Sequence, residues 1–441
     1  MKPQYNRRLS VAETFLLFGA LLFSGTAAAQ TVAVTGATVH TAGPAGKIEN
    51  ATIIISDGRI AAVGAGVTTP AGAREIDASG KIITPGLVTP FGQIGLVEVN
   101  AVEGTVDYVQ RGDQFSASFD PASAYNPRSS LVATNRIEGI THAIIAPEAQ
   151  RPDDLGNQSR VFSGLASVVQ LRDNDYMIRN GAALVANLGE TGSEVAAGSR
   201  ATALMVLRTA LDDARDYGSN VQAFEQGNRR QYSLSRSDLE TLQRLLRGDM
   251  PLLVRANRAN DISAAIRLAS DYEFDLIVMG GAEAWMVADE LAAAGVSVIL
   301  DSLANLPESF DQLNSRLDAA SILANAGVRI AIGGDGANQN HNARNITQAA
   351  GIAVANGLAW DEALVAVTLA PAQMYGVGDR IGSLEAGKRA DFVIWNDDPL
   401  ELTSYPDQVF IGGEAVPMES RQTLLRDRYL DRASNKPPAF R

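Results

Sequence analysis

The stretch Ile381-Gly-Ser-Leu-Glu-Ala-Gly-Lys-Arg-Ala-Asp-Phe-Val-Ile-Trp395 reads as a glycine-punctuated turn leading into a buried strand. Val409-Phe410-Ile411-Gly412-Gly413-Glu414 supplies one more strand and turn. The same texture opens the chain. Val32-Ala33-Val34-Thr35 and Thr52-Ile53-Ile54-Ile55 are β-prone runs, and Ser56-Asp57-Gly58-Arg59 is a tight-turn signal leading into Ile60-Ala61-Ala62-Val63. Ile76-Asp77-Ala78-Ser79-Gly80-Lys81 carries the next turn. A β block over residues 31–85 is thus interrupted by a long central region and resumes over 379–418.

Within 86–378, β-runs alternate with helical periodicity, the pattern of a parallel sheet with crossover helices. Candidate strands fall at 87–88, 142–145, 167–169, 183–185, 252–254, 276–279, 296–300 and 329–332. Candidate helices at 200–217, 238–247, 261–270, 284–294, 314–326 and 345–356 carry apolar residues three and four apart. Asp261 and Asp361 suit N-caps, and Gly295, Gly327 and Gly357 suit helix C-termini. Eight such strands fit a TIM barrel, although periodicity alone also fits an open doubly wound sheet. Residues 98–135 and 218–237 fit neither pattern and read as insertions, the first placed over the barrel mouth. Residues 419–441 form a tail with a charged amphipathic helix, docked on the domain surface or on another subunit.

The chain has 441 residues, enough for a large barrel and an accessory domain, and its 46% hydrophobic and 20% charged residues mark it as globular. A net charge of -13 argues against nucleic acid as a partner and leaves no polybasic patch for an anionic membrane. Lys2, Arg7 and Arg8, a short apolar run over 15–23 and Ala27-Ala28-Ala29 make residues 1–29 an export signal, with no retained membrane anchor expected. The expected location is the periplasm or the secreted fraction. There is no cysteine, which excludes disulfides, thiolate nucleophiles and Cys-ligated metals.

Lys81-Ile-Ile-Thr-Pro-Gly-Leu-Val-Thr-Pro-Phe-Gly-Gln93 resembles the first barrel strand of the amidohydrolase superfamily, where Pro-Gly-Leu-Ile/Val precedes Asp-x-His-x-His. The Gly-Lys-x-Ala-Asp-Phe-Val-Ile element at 387–394 resembles the same superfamily's small β-sandwich, built from both chain ends, and it tips the choice toward a barrel. The resemblance covers nearly all of 31–416 and is nearest the exported imidazolonepropionase-like group. It implies an α/β fold, a TIM-type (β/α)8 barrel over 86–378 with a β-sandwich from 31–85 and 379–418. It also implies metal-assisted hydrolysis of a C–N bond in a cyclic amide, amidine or small peptide derivative.

The residues depart from that implied site. Phe91 and Gln93 stand at the histidine positions of strand one and Thr89 at the aspartate's. A phenyl ring donates no lone pair, and an amide oxygen substitutes poorly for imidazole. No lysine lies between Lys81 and Lys388, so neither a carbamate bridge nor a Schiff base is available, and Glu190 is the carboxylate nearest the strand-four position. Arg255 or Asn257 falls where strand five brings a histidine, and glycine where strand six does. Asp335, in Gly333-Gly334-Asp335-Gly336, matches the strand-eight aspartate. The chain holds three histidines, of which His40 and His142 read as structural and His341 follows Asp335 on its loop.

Asp335 and His341 are therefore the candidate catalytic residues, and Gln93, Arg255, Asn257 and Glu283 the candidate substrate-binding residues. Arg255 suits a carboxylate-bearing ligand, or an ion pair with Asp335 or Glu283 replacing the lost metal charge. No metal ligand set and no cofactor are expected, with at most one weakly bound zinc if Asp335 and His341 contribute. Three functions fit: a divergent hydrolase of impaired activity, a periplasmic binding protein for a small molecule, or a non-catalytic subunit in a homodimer or paired with an active paralogue.

Overall fold

In a computed structural model of the chain, residues 31–430 are described, apart from 111, 113, 150–159, 197 and 335–339. The expected leader over 1–29, Asp335 and the end of the tail lie outside the described residues.

The two chain ends build one sheet. Its N-terminal strands are β1 (Val32–His40), β2 (Lys47–Ser56), β3 (Arg59–Gly64), β4 (Arg74–Asp77) and β5 (Ile82–Pro85). Asp57 and Gly58 both take positive φ, 53° and 73°, in the two-residue turn between β2 and β3, as the Asp-Gly pair requires. The barrel follows as β6 (Leu87–Gly92), β7 (Ile140–Ile145), β8 (Phe162–Gln170), β9 (Met177–Asn187), β10 (Leu252–Ala256), β11 (Leu276–Gly280), β12 (Ser297–Leu300) and β13 (Ile330–Ile332). The chain then returns to the first sheet as β14 (Phe392–Trp395), β15 (Pro406–Ile411) and β16 (Glu414–Ala415). β14 pairs antiparallel with β5, with Ile394 opposite Ile83, and this pairing joins the ends. Phe392 and Phe410 stack on each other across β14 and β15, 4.4 Å apart.

In the barrel, residues of alternate register divide between two cores. Val88, Phe91, Ile144, Leu253, Met279 and Ile299 belong to the interior cluster. Leu252, Val254, Val278 and Val298 face the surrounding helices. The seam between β13 and β6 is tight but lacks a ladder. A Cβ on Gly333 would come within 2.5 Å of Pro90, while Val88 N–H donates to Val367 O. Pro90 has no N–H to offer, and the β6–β7 register shifts between Thr89 and Gly92, next to Phe91. Tyr375 is buried against the interior cluster and donates its hydroxyl to Pro90 O at 2.7 Å.

Several expectations change. β8 runs antiparallel to both β7 and β9, so the sheet is not wholly parallel. Only residues 171–176 join β8 to β9, and a parallel crossover needs a dozen or more. The helix expected at 284–294 is a 3-10 turn, Ala284–Val287, followed by Ala288–Ala293, and the one expected at 314–326 begins at Ala319. Asp261 and Asp361 sit in the first turns of their helices, and the N-caps are Arg258 and Ala359. Residues 218–237 fold back on the helix Arg200–Ser219, where Tyr217, Phe224 and Tyr232 cluster and Arg230 pairs with Asp213 at 2.5 Å. Asp238 pins the 98–135 insertion by accepting from Ser116 N–H and Ser118 N–H at 3.0 and 2.8 Å.

The barrel and the terminal sheet are fastened around β14. Trp395 Nε1 donates to Thr84 Oγ1 at 2.9 Å, and its ring lies against Gly139, where a Cβ would come within 2.9 Å. His142 is buried beside this junction, with Nε2 3.7 Å from Asp391 Oδ2 and Nδ1 3.0 Å from Thr141 Oγ1. Burial lowers its pKa to about 4, against the opposing pull of Asp391, so it is neutral at pH 7. Asp391 in turn accepts from Gly412 N–H at 2.6 Å, which gives the Ala-Asp-Phe motif a structural role.

Trp395→Ala is expected to lower unfolding stability by about 3–5 kcal/mol in urea denaturation, as loss of a buried aromatic does. The unfolded chain protonates His142 below the ordinary histidine value of 6.5 and the folded chain only below about 4, so stability falls as pH drops through that window. In His142→Gln the urea midpoint should depend less on pH between 6.5 and 4 than in the wild type.

Candidate functional site at the barrel mouth

Side chains from the ends of β6, β7 and β10 meet over the barrel axis. Phe91 closes the interior at 1% exposure, with the Arg255 guanidinium 5.8 Å from its ring centre. Gln93 is fully buried and donates from Nε2 to Glu148 Oε1 at 3.1 Å. Arg255 Nη2 lies 3.9 Å from the same Glu148 oxygen, both side chains being less than one-fifth exposed. Glu148 follows β7, and its backbone N–H donates to Tyr108 O of the first insertion at 3.1 Å. Glu148 therefore gathers Gln93 and Arg255. Arg255 was expected to pair with Asp335 or Glu283; among the described residues Glu148 is a carboxylate that faces it, Glu283 is committed elsewhere, and Asp335 lies outside the described residues.

A cleft of about 710 Å³ opens beside this cluster, over the ends of β9 to β12. Arg255 and Asn257 line it together with Glu190, Asp301 and Asp311. Asp311 is buried, accepts from Glu190 N–H at 2.6 Å and pairs with Arg200 at 2.5 Å. Asp261 stands 3.5 Å from Arg200, and burial pushes its carboxyl above the usual carboxylate range despite Arg258 nearby.

The remaining candidates fall elsewhere. Asn257 accepts Ala282 N–H at 3.3 Å and fills the space over Gly280, so strand six ends in glycine because that side chain lies against it. Glu283 is 6% exposed and is not among the cleft-lining residues; its two oxygens accept from Ala259 N–H at 3.0 Å and Asn314 Nδ2 at 2.7 Å. It caps the helix Ala259–Tyr272, whose own N-cap residue supplies no side-chain acceptor. His341 is exposed, hydrogen-bonded through Nδ1 to Asn340 Oδ1 at 2.6 Å, and is not among the residues lining the cleft. His40, on β1 of the terminal sheet, packs its ring at a tilt of 45° against Trp360, 4.2 Å between centres.

The residues present do not fit the family's metal. Phe91 has no donor, Gln93 is committed to Glu148, and a guanidinium occupies the strand-five position. Among the described residues no group of three His, Asp or Glu side chains converges in a way that would hold a metal. Thr89 Oγ1 and Gln93 Oε1 are buried without a hydrogen-bond partner among the described residues, and two neutral oxygens are not a zinc donor set. Reading the sequence missed Glu148 and Asp311. Glu148 carried a signal, a carboxylate just past a strand end; Asp311, in a long loop, carried none.

In an eight-stranded barrel the cleft at the strand ends is where such folds carry their sites. The sequence profile of the amidohydrolase family matches residues 261–416. Amidohydrolase tasK of Hapsidospora irregularis is 24% identical over 376 residues, 77% of this chain but only 37% of that protein. The chain thus spans little more than a third of that relative's length. The imidazolonepropionase of Thermoplasma volcanium is 25% identical over 410 residues, 86% of this chain and 93% of its own length. The crystal structure of an amidohydrolase from Thermotoga maritima MSB8 shares the fold, with a TM-score of 0.77 at 24% identity, over 88% of this chain and 99% of that one. Residues 261–416 thus carry the sequence pattern of the amidohydrolase family, and the chain shares the fold of the Thermotoga maritima amidohydrolase.

Glu283→Ala is expected to lower stability by about 1–3 kcal/mol in chemical denaturation, because it strips a buried helix end of its acceptor. It should leave any ligand-induced thermal shift unchanged, which separates a structural from a binding role.

Proposed function

We propose that the chain is an exported amidohydrolase-family protein that binds a small polar molecule at the barrel mouth and has little or no metal-assisted C–N hydrolysis. The observation that carries this reading is the Gln93–Glu148–Arg255 cluster, which fills with hydrogen bonds and an ion pair the strand ends from which a metal would be held. Nothing in that cluster brings the pKa of water near neutrality. The cleft supplies a binding volume, with the Arg255 guanidinium at one wall and Glu190, Asp301 and Asp311 along others. This favours a ligand whose carboxylate meets Arg255 and whose donors or positive charge meet the acidic walls.

The test is a thermal-shift screen of carboxylates, cyclic amides and amino-acid derivatives, run beside zinc analysis of the purified protein. A ligand at about 100 times its Kd should stabilise the fold by about 2.7 kcal/mol, and Arg255→Ala should lose the shift. One firmly held zinc per chain with turnover of a cyclic amide would overturn the reading, and an unchanged shift in Arg255→Ala would remove Arg255 from the site.

A second reading, a non-catalytic subunit of a larger assembly, has one observation in its favour. The loop beside the cleft exposes Leu306 at 74%, Phe310 at 80% and Leu313 at 60%. Light scattering that returns a stable dimer, lost in Phe310→Ser, would support it.

A further inference from the structure

We infer that Arg255 is a built-in cation at the barrel mouth: its guanidinium, paired with Glu148, takes the electrostatic place of the family's metal ion and excludes a divalent cation. The inference deepens the proposed function and rests on its reading that the mouth holds no catalytic metal.

The argument is geometric. Gln93 Nε2 and Arg255 Nη2 approach one atom, Glu148 Oε1, at 3.1 and 3.9 Å. Phe91 closes the interior beneath, its ring centre 5.8 Å from the guanidinium carbon. Phe91 stands at the end of β6 and Gln93 lies just past it, while position 255 reaches the same carboxylate from β10. Two side chains thus converge on one carboxylate oxygen, with the Phe91 ring beside the guanidinium; imidazoles at these three positions and Glu148 would supply the four donors of a tetrahedral site. A carboxylate shielded as far as Glu148 is, at 17% exposure, gains from a positive partner because much of its hydration is lost. Arg255 is that partner, a planar cation whose donors face the carboxylate. A divalent cation placed against Glu148 would sit within a few ångströms of the guanidinium, and the repulsion is large where water is scarce. Putting histidines back on strand one alone should therefore fail to restore a metal site.

The experiment compares the full chain carrying Phe91→His/Gln93→His with the same chain carrying Arg255→His as well. Each is dialysed against zinc, passed through gel filtration and assayed for bound metal, with circular dichroism checking the fold. The double variant is expected to retain less than about a tenth of a zinc per chain and the triple variant about one, the three imidazoles and Glu148 completing a four-ligand site. Equal zinc in the two, or none in a folded triple variant, overturns the inference.

Should the triple variant fail to fold, a thermal double-mutant cycle of Arg255→Met and Glu148→Gln decides. Each single change is expected to lower Tm by several degrees and the pair to recover much of the loss. Additive losses would show that Arg255 does not balance Glu148, and would overturn the inference. Zinc firmly held by the wild type would instead overturn the functional reading itself, so the two failures are distinguishable.

Discussion

A carboxylate held over the axis of a barrel must be neutralised where it stands, and in this protein Arg255 does it for Glu148. The rest of the mouth is arranged around that pair. Gln93 takes the same Glu148 oxygen from the next strand over, Phe91 shuts the interior below, and the Tyr108 carbonyl holds the Glu148 backbone. On the function proposed above, the Arg255 guanidinium leaves a metal neither the lone pairs nor the electrostatic room it needs. The barrel mouth thus holds an internal ion pair between Arg255 and Glu148.

The scaffold accommodates that ion pair because its stability lies elsewhere. The interior cluster and the helix-facing core are separate, so the mouth can change without disturbing the packing of the helices. The terminal sheet is fastened through Trp395 and Thr84, and through the Asp391 carboxylate that holds Gly412, at the β14 junction with the barrel. His142 is spent on this junction as a neutral, buried group and is not available to a metal. The cleft beside the ion pair keeps its volume, with carboxylates that are themselves held in place by Arg200 and by backbone donors.

Much of this was legible in the residues. The Asp57-Gly58 turn, the glycines after helix ends and the paired β texture of both termini each follow from local backbone chemistry, while the choice of a barrel over an open sheet came from the resemblance carried by residues 387–394. The loss of imidazole at Phe91 and Gln93 could be read directly, because donor capacity is a property of the side chain alone. What could not be read was pairing across the fold. Glu148 as the partner of Arg255, Asp311 beneath Glu190, and Glu283 as a helix cap depend on where distant loops return. The reversed β8 was within reach, since six residues cannot carry a crossover, but its apolar run looks the same in either direction.

The most direct measurement is a crystal structure of the wild-type chain soaked in zinc, with anomalous data collected at the zinc edge. The account predicts no anomalous peak at the mouth and a guanidinium of Arg255 within ion-pair distance of Glu148. A peak at about 2 Å from Glu148 or Asp335, with Arg255 turned away, would contradict it.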